Sequence, residues 1–457
     1  MMSRTLAAVA ETLEISLIGE DASFGPISID SRSLKAGALF VAIEGTHFDG
    51  NDFVADAHAR GAAGALVSRR ATVSLPQLKV ADTRIAFGQM ARAWRENVPL
   101  PVVAVTGSNG KTTVKELVAS ILRCRRKVCV TEGNLNNDIG VPLTLMALDE
   151  THEALVVELG ANHSGEIDYL SSLVQPTVGV ITNAYATHLE GFGSVAGVAA
   201  AKGELLDHLP RAGTAVINAD DEFCEDWRAR SRAVTVLTFG LDARADCTVT
   251  GEIVAEISSC RFTMQLPEGE SVDIDLPLAG QHNVLNALAA AAAAHALGTV
   301  PEDIVNGLNS AHTLQGRLNV LRGRGGAAII DDTYNANPAS VRAAFDYLAQ
   351  ASGTRVLVLG DMAELGDGAK ELHREIGKYA TGRCDALLTI GPLSRQAAEA
   401  FGSAGQSFED SASLGRAVEA MLAEDVTILV KGSRIMGLER LVNLLASDGA
   451  SGEEASC

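Results

Sequence analysis

The residues of this chain best suited to chemistry form the run Thr106-Gly107-Ser108-Asn109-Gly110-Lys111-Thr112-Thr113, between the apolar stretch PVVAV and the helical pattern VKELVASIL. Glycines let a backbone turn its N–H groups inward, and a helix N-terminus adds roughly half a positive charge. Lys111 can then reach terminal phosphates and the Thr112 hydroxyl can hold Mg2+, so the run reads as a phosphate cradle. It departs from GxxxxGK[ST] in having Val105 where the first glycine belongs. The competing reading is a glycine-rich helix start with no ligand. Glu158 closes the apolar run ALVVE. That puts a hard oxygen donor suited to Mg2+ at the carboxyl edge of a parallel strand, where open α/β sheets bind ligands. Standing alone it reads equally as a solvated strand-end glutamate. His188, in TNAYATHLEGFG, follows another such strand, and a lone histidine in a glycine-rich loop signifies little.

The elements that must position these residues are legible from their grammar. The cradle follows a continuous apolar strand and opens an amphipathic helix, the signature of a buried parallel strand feeding a helix. Strand followed by turn recurs at ALVVELGANHSGEI, TVGVITNAYATH and TAVINADDE, which predicts one mainly parallel sheet covered on both faces. A length of 457 residues favours two to four units at about 100 to 200 residues per domain, and three fit best. The expected fold class is therefore α/β in three domains. Residues 1–98 form a small α/β unit, with strands at ALFVAIEG and GALVSRR around the helix DFVADAHARGA. Residues 99–314 form the central P-loop domain, starting at the Val98-Pro99-Leu100-Pro101 linker. Residues 315–457 form a Rossmann-like unit with strands at AAIIDD, RVLVLGD, ALLTIG and TILVKG, ending in a polar tail, DGASGEEASC.

Composition narrows the function classes. A formal net charge of −20 disfavours a nucleic-acid binder, which needs an extended basic face. An anionic substrate remains compatible, because screening confines exposed charge effects to about 8 Å. The cysteines, Cys124, Cys129, Cys224, Cys247, Cys260, Cys384 and Cys457, are scattered singly, with no CxxC pair, and are read as reduced. No run of about 18 apolar residues occurs, so a cytoplasmic protein without membrane insertion is expected.

Taken together, the cradle, GNLNNDIGVP at 133–142, VELGAN at 157–162, NAYATHLEGFGS at 183–194, AKGEL at 201–205, NADD at 218–221, GQHNVLNALAA at 280–290, QGRL at 315–318 and DDTYNANPAS at 331–340 resemble the motifs of the Mur ligase family. They occur in family order across nearly the whole chain. YNANP, with LGDMAELG at 359–366, resembles the branch that adds D-alanyl-D-alanine to UDP-N-acetylmuramoyl-tripeptide. The DNPR signature of the diamino-acid-adding relatives is absent, as is a dinucleotide-type glycine turn at the N-terminus. Asp30-Ser31-Arg32 and GTHFDGNDF resemble the nucleotide-sugar domain of the later ligases, with Asn51 where a histidine is expected.

The resemblance implies roles residue by residue. Gly107, Ser108, Asn109, Gly110, Lys111, Thr112 and Thr113 would hold ATP, with Asn283, Asn286, Arg317 and one acid of the Asp331-Asp332 pair, taken as Asp332, at its nucleoside. Asn283 and Asn286 lie one helical turn apart and share a face, although helix capping competes for Asn283. Thr112 and Glu158 would hold the first Mg2+. His188, together with Lys202 as a carbamylated lysine, would hold the second. Without the family, Lys202 reads as a surface lysine. Catalysis would fall to Lys111, Glu158, His188 and Lys202. Ser31, Arg32, Asn134, Asn137, Tyr334, Asn335, Asn337 and Lys431 would meet the substrates, with Ser433 and Arg434 further candidates for a carboxylate.

The implied reaction is attack of a peptide carboxylate on the ATP γ-phosphate, giving an acyl phosphate that the dipeptide amine then displaces. Such a reaction needs water excluded, and Arg317, just past an expected hinge, predicts a third domain that closes onto the ATP of the second. A monomer is expected. The rivals are the diamino-acid-adding ligase, a folate polyglutamylating ligase and a nucleotide switch that does not ligate.

Overall fold

The computed structural model describes residues 4–241 and 244–446, so the expected polar tail and Cys457 lie outside the described residues. The N-terminal unit pairs β1 (Leu17–Ile18), β2 (Ile27–Ser28), β3 (Leu39–Val41), β4 (Gly64–Val67) and β5 (Gln77–Lys79) in the order β1-β5-β4-β3-β2, with only β1 antiparallel. Side chains of a strand alternate between faces. Leu39 and Val41 accordingly enter a core under the helices Leu6–Thr12 and Thr83–Glu96, while Phe40 enters one with Val54 and Ala57 of the helix Val54–Ala59.

The central sheet holds β6 (Val102–Thr106), β7 (Val128–Val130), β8 (Ala154–Glu158), β9 (Val178–Ile181), β10 (Thr214–Asn218) and β11 (Thr235–Phe239), all parallel, in the order β11-β10-β9-β6-β8-β7. Every residue of β6, β8, β9 and β10 is buried, which is why they read as unbroken apolar runs. One face is covered by the helices Lys111–Arg123, Gln281–Ala296 and Pro301–Asn309. The alanine-rich helix among them is enclosed on all sides, with Ala287 and Ala289–Ala294 fully buried. A three-stranded antiparallel sheet, β12 (Thr248–Ala255), β13 (Cys260–Gln265) and β14 (Ser271–Leu276), extends this layer; the sequence reading did not foresee it.

The C-terminal sheet orders β15 (Asn319–Arg322), β16 (Ala328–Asp332), β17 (Thr354–Gly360), β18 (Ala386–Ile390), β19 (Gly405–Phe408) and β20 (Val426–Lys431) as β15-β16-β20-β17-β18-β19, with an antiparallel edge at β15. In both large sheets the order reverses next to a central strand. Reversal splays the outgoing loops apart and leaves a crevice at the carboxyl ends. The central crevice lies beyond β6, β8 and β9, the C-terminal one beyond β16, β20 and β17, and side chains from both reach a common cavity. Among the described residues no helix is long and apolar enough to cross a membrane.

Candidate active site

The cradle forms the turn between β6 and the helix Lys111–Arg123. Gly107 (φ +145°) and Gly110 (φ +82°) adopt backbone conformations that L side chains rarely take. They are also hemmed in: a Cβ at Gly110 would stand 2.3 Å from Asn286 Oδ1, and one at Gly107 1.9 Å from Thr182 Oγ1. The loop is stitched to the segment after β9. Asn109 N donates to Asn183 Oδ1 at 2.8 Å, Thr182 Oγ1 donates to Asn109 O at 2.6 Å, and Tyr185 N donates to Ser108 Oγ at 2.9 Å. Lys111 Nζ folds back on the carbonyls of Gly107 and Ser108, at 2.8 and 3.1 Å. Burial lowers its pKa, opposed by the nearby Glu158 carboxylate.

Glu158, 2% exposed at the end of β8, accepts from Asn136 Nδ2 at 2.7 Å through Oε1, whereas its buried Oε2 has no partner. An orphaned carboxylate oxygen costs free energy unless something completes it, and a divalent cation does so. Among the described residues no three His, Cys, Asp or Glu side chains are grouped to hold a metal on their own. A cation beside Glu158 would therefore draw further oxygen ligands from hydroxyls and phosphates.

Lys202, in the helix Val195–Gly203, is 2% exposed. Its ammonium has one long hydrogen bond, 3.5 Å to Ala161 O, and lies 5.2 Å from the Phe192 ring centroid. Burial, reinforced by Lys111, pulls its pKa down to about 7. His188 sits in the left-handed region (φ +49°), and its Nδ1 hydrogen-bonds Glu364 of the C-terminal domain. Burial lowers the imidazole pKa and Glu364 opposes that shift.

The C-terminal domain supplies the opposite wall. Arg317 Nη2 donates to Thr112 Oγ1 at 2.8 Å, and the guanidinium lies 4.1 Å from the Tyr334 ring centroid. Asn337 caps the helix Pro338–Leu348 and also exchanges amide hydrogen bonds with Asn109, at 2.6 and 3.3 Å. Lys431 Nζ donates to Asp332 Oδ2 at 2.5 Å and to Asn335 O at 3.0 Å. Burial pushes the Asp332 carboxyl up, and Lys431 opposes it. Between the walls lies a cavity of about 520 Å³, lined by Asn109, Thr113, Asn283, Asn286, Arg317 and Asp332 among others.

The structure thus brings the cradle, Asn283, Asn286, Arg317, Asp332, Tyr334, Asn335, Asn337 and Lys431 together around one cavity. Asn283 does not cap its helix, whose N-cap is Gly280; its Nδ2 donates to Ala279 O and its Oδ1 accepts from Asn286. Other candidates stand apart from the cavity. Arg32, with an 87% exposed side chain, is paired with Asp30 at 2.8 Å, and Ser31 is buried beside it. Asn137 spends its side-chain oxygen on Ile139 N and Gly140 N, and the side chain of Asn134 enters none of these bonds. Ser433 Oγ accepts from Ala363 N, and Arg434 faces Glu439 at 3.9 Å. Asn51 is a structural clasp: it donates to Asp49 and Ser68 and accepts from Ser68 N and Arg69 N. Sequence reasoning missed Asn136, Asn183, His282 and Glu364. All four lie inside motifs already singled out, but nothing in a string of residues says which member faces the site.

Known proteins resemble this chain over nearly its whole length. The chain matches the Mur ligase middle domain over residues 105–294, the Mur ligase glutamate ligase domain over 316–434, and the Mur ligase family catalytic domain over 24–105. It is 43% identical over 453 residues to the UDP-N-acetylmuramoyl-tripeptide--D-alanyl-D-alanine ligase of Escherichia coli, covering 98% of this chain and 100% of that protein. A crystal structure of MurF from Acinetobacter baumannii superposes with a TM-score of 0.89 at 37% identity, over 95% of this chain and 97% of that one. The MurF ligase of Thermotoga maritima in complex with ADP does so with a TM-score of 0.81 at 27% identity, over 92% and 96%.

Proposed function

We propose a function from one premise: the chain belongs to the Mur ligase family. It is an ATP-dependent ligase that joins D-alanyl-D-alanine to UDP-N-acetylmuramoyl-tripeptide, giving the UDP-muramoyl pentapeptide used in peptidoglycan synthesis. The observation that carries the reading is the full-length identity to a ligase of that name. Neither the diamino-acid-adding nor the folate-ligase alternative is favoured by these relatives.

In the first step the tripeptide carboxylate attacks the γ-phosphorus, an O–P bond forms and ADP leaves. In the second the dipeptide nitrogen attacks the acyl carbon, the C–N bond forms, phosphate leaves with the C–O electron pair, and a proton is released. Three anionic groups converge in this sequence, so charge handling decides the rate, and removing one preorganised donor typically costs about 10² to 10³. Lys111 and the cradle N–H groups are assigned to the phosphates, Arg317 and Asp332 to the nucleoside side, and Asn283 and Asn286 to the base or ribose.

Mg2+ would be held by the Thr112 hydroxyl and by Glu158, whose unpartnered Oε2 supports the assignment, and when bound it neutralises phosphate charge. A second ion would fall to His188 and a carbamylated Lys202. A carbamate forms on a neutral amine, and an amine with a pKa near 7 supplies one at neutral pH. Tyr334, Asn335 and Lys431 are assigned to the dipeptide, and Ser31 and Arg32 to the UDP moiety. We assign a cytoplasmic location, where ATP is supplied, and a monomer, since one chain provides both walls of the cavity.

The test is phosphate release from ATP and Mg2+ with UDP-muramoyl tripeptide, comparing D-alanyl-D-alanine, free diamino acids and no amine. Release that requires the dipeptide, with a pentapeptide by mass, is expected; release with a diamino acid alone would overturn the reading.

A further inference from the structure

Arg317, Asn337 and Glu364 all reach across the cleft to the P-loop domain, and of these Glu364 alone carries negative charge. The loop that bears it leaves the carboxyl end of β17 and is braced throughout. Asp361 Oδ1 accepts from Leu393 N and Ser394 N, Met362 N donates to His373 Nε2 at 3.0 Å, and Ala363 N donates to Ser433 Oγ at 2.8 Å. After this bracing comes Glu364 in the left-handed region (φ +62°), which a side chain other than glycine holds only where its surroundings enforce it. Its carboxylate, half exposed, points away from the domain that braces it and accepts from His188 Nδ1.

The setting explains why an anion belongs there. The facing wall carries Lys111, the first residue of the cradle helix, and Arg317 reaches the hydroxyl of the next residue, Thr112. The incoming amine arrives as an ammonium, and a carboxylate within its reach offers a charge-assisted hydrogen bond that the neutral and cationic groups around it do not.

We propose that Glu364 binds the ammonium of the incoming dipeptide and places its nitrogen beside the acyl carbon, where one proton passes to solvent before the lone pair attacks and a second leaves as the amide forms. The His188 N–H stands in for that ammonium in the substrate-free chain. This rests on the ligase reading above and deepens it by naming the group that recognises the reacting end of the amine substrate.

The experiment compares the wild type with E364Q, which keeps the shape and removes the charge, in three assays. The first varies D-alanyl-D-alanine at saturating ATP and UDP-muramoyl tripeptide. The second follows positional isotope exchange in ATP with the tripeptide and no amine, which reads acyl-phosphate formation alone. The third replaces the dipeptide with hydroxylamine, a nucleophile uncharged at neutral pH, and measures hydroxamate. A lost charge-assisted bond raises the KM for the dipeptide about ten- to hundred-fold. Exchange and hydroxamate formation stay at wild-type levels. An unchanged dipeptide KM overturns the proposal. So does a parallel fall in all three assays, which would make Glu364 a closing contact. A wild type that performs the exchange but makes no pentapeptide would instead bring down the ligase reading.

Discussion

The molecule has two junctions between domains, and they are made of different materials. At the first, Leu6, Val9, Phe87, Met90 and Trp94 of the N-terminal unit share one continuous apolar core with Leu145, Met146, Leu170 and Leu173 of the central domain. Polar contacts rim that core: Trp94 Nε1 donates to Leu148 O, Arg95 to Val174 O and Arg4 to Met146 O, while Arg84 pairs with Asp138 and Gln175 Nε2 donates to Glu96. At the second junction, side chains meet side chains around a cavity: Arg317 with Thr112, Asn337 with Asn109, Glu364 with His188. Opening the first would expose a core; opening the second exchanges hydrogen bonds with protein for hydrogen bonds with water, at about 0.5–1.5 kcal/mol each. Domain motion is the default unless an interface is large and apolar. One junction therefore fixes the N-terminal unit on the central domain, and the other is made of contacts that water can replace.

Breaking the apolar junction should cost the most. Trp94→Ala removes a 3% exposed aromatic from the shared core and should lower stability by roughly 3–5 kcal/mol, read as a shifted urea midpoint. A midpoint that stays put would mean the two domains fold independently. At the polar junction the effect should move from stability to binding. Arg317→Ala should weaken ADP binding by about 1.5–3 kcal/mol in calorimetry. Its unfolding free energy in urea should change by less than about 0.5 kcal/mol, and equal losses in both assays would erase the contrast. Smaller still is Asn109→Ala, which removes one amide pair worth about 1 kcal/mol while leaving Asn337 to cap its helix. Small-angle scattering should show it more extended than the wild type; identical profiles would show that the amide pair does not hold the closed form.

The polar junction also carries a pH dependence that the apolar one lacks. Burial holds His282, on the cavity wall, at a pKa of about 4 against an ordinary 6.5. Between those values the unfolded chain binds a proton that the folded chain refuses, so stability falls as pH drops from 6.5 to 4 and is fully present above that window. His282→Gln should flatten this part of the melting-temperature profile, and a slope identical to wild type would show that other groups carry it.

What could be read from the sequence follows the same division. β6, β8, β9 and β10 were legible because strands buried on both faces must be apolar throughout, and the cradle because its glycines are sterically forced. The sheet β12–β14 escaped notice because one face of it meets solvent and a register shift between Thr250 and Val254 breaks its alternation. β1 and β2, two residues each, are too short to leave a pattern. Asn134, Asn136 and Asn137 are chemically equivalent on paper, and only the turn of the backbone gives Glu158 to Asn136 and the amides of Ile139 and Gly140 to Asn137. Glu364 was unreadable for a related reason: its partner lies 176 positions away in another domain.

Because the cavity takes its walls from two domains, whatever fills it and touches both is released only when they part. Residence time then becomes a property of the hinge as much as of the contacts. A compound spanning Asn109 and Asn337 would act as a clasp, slowing its own escape by holding shut the door through which it entered.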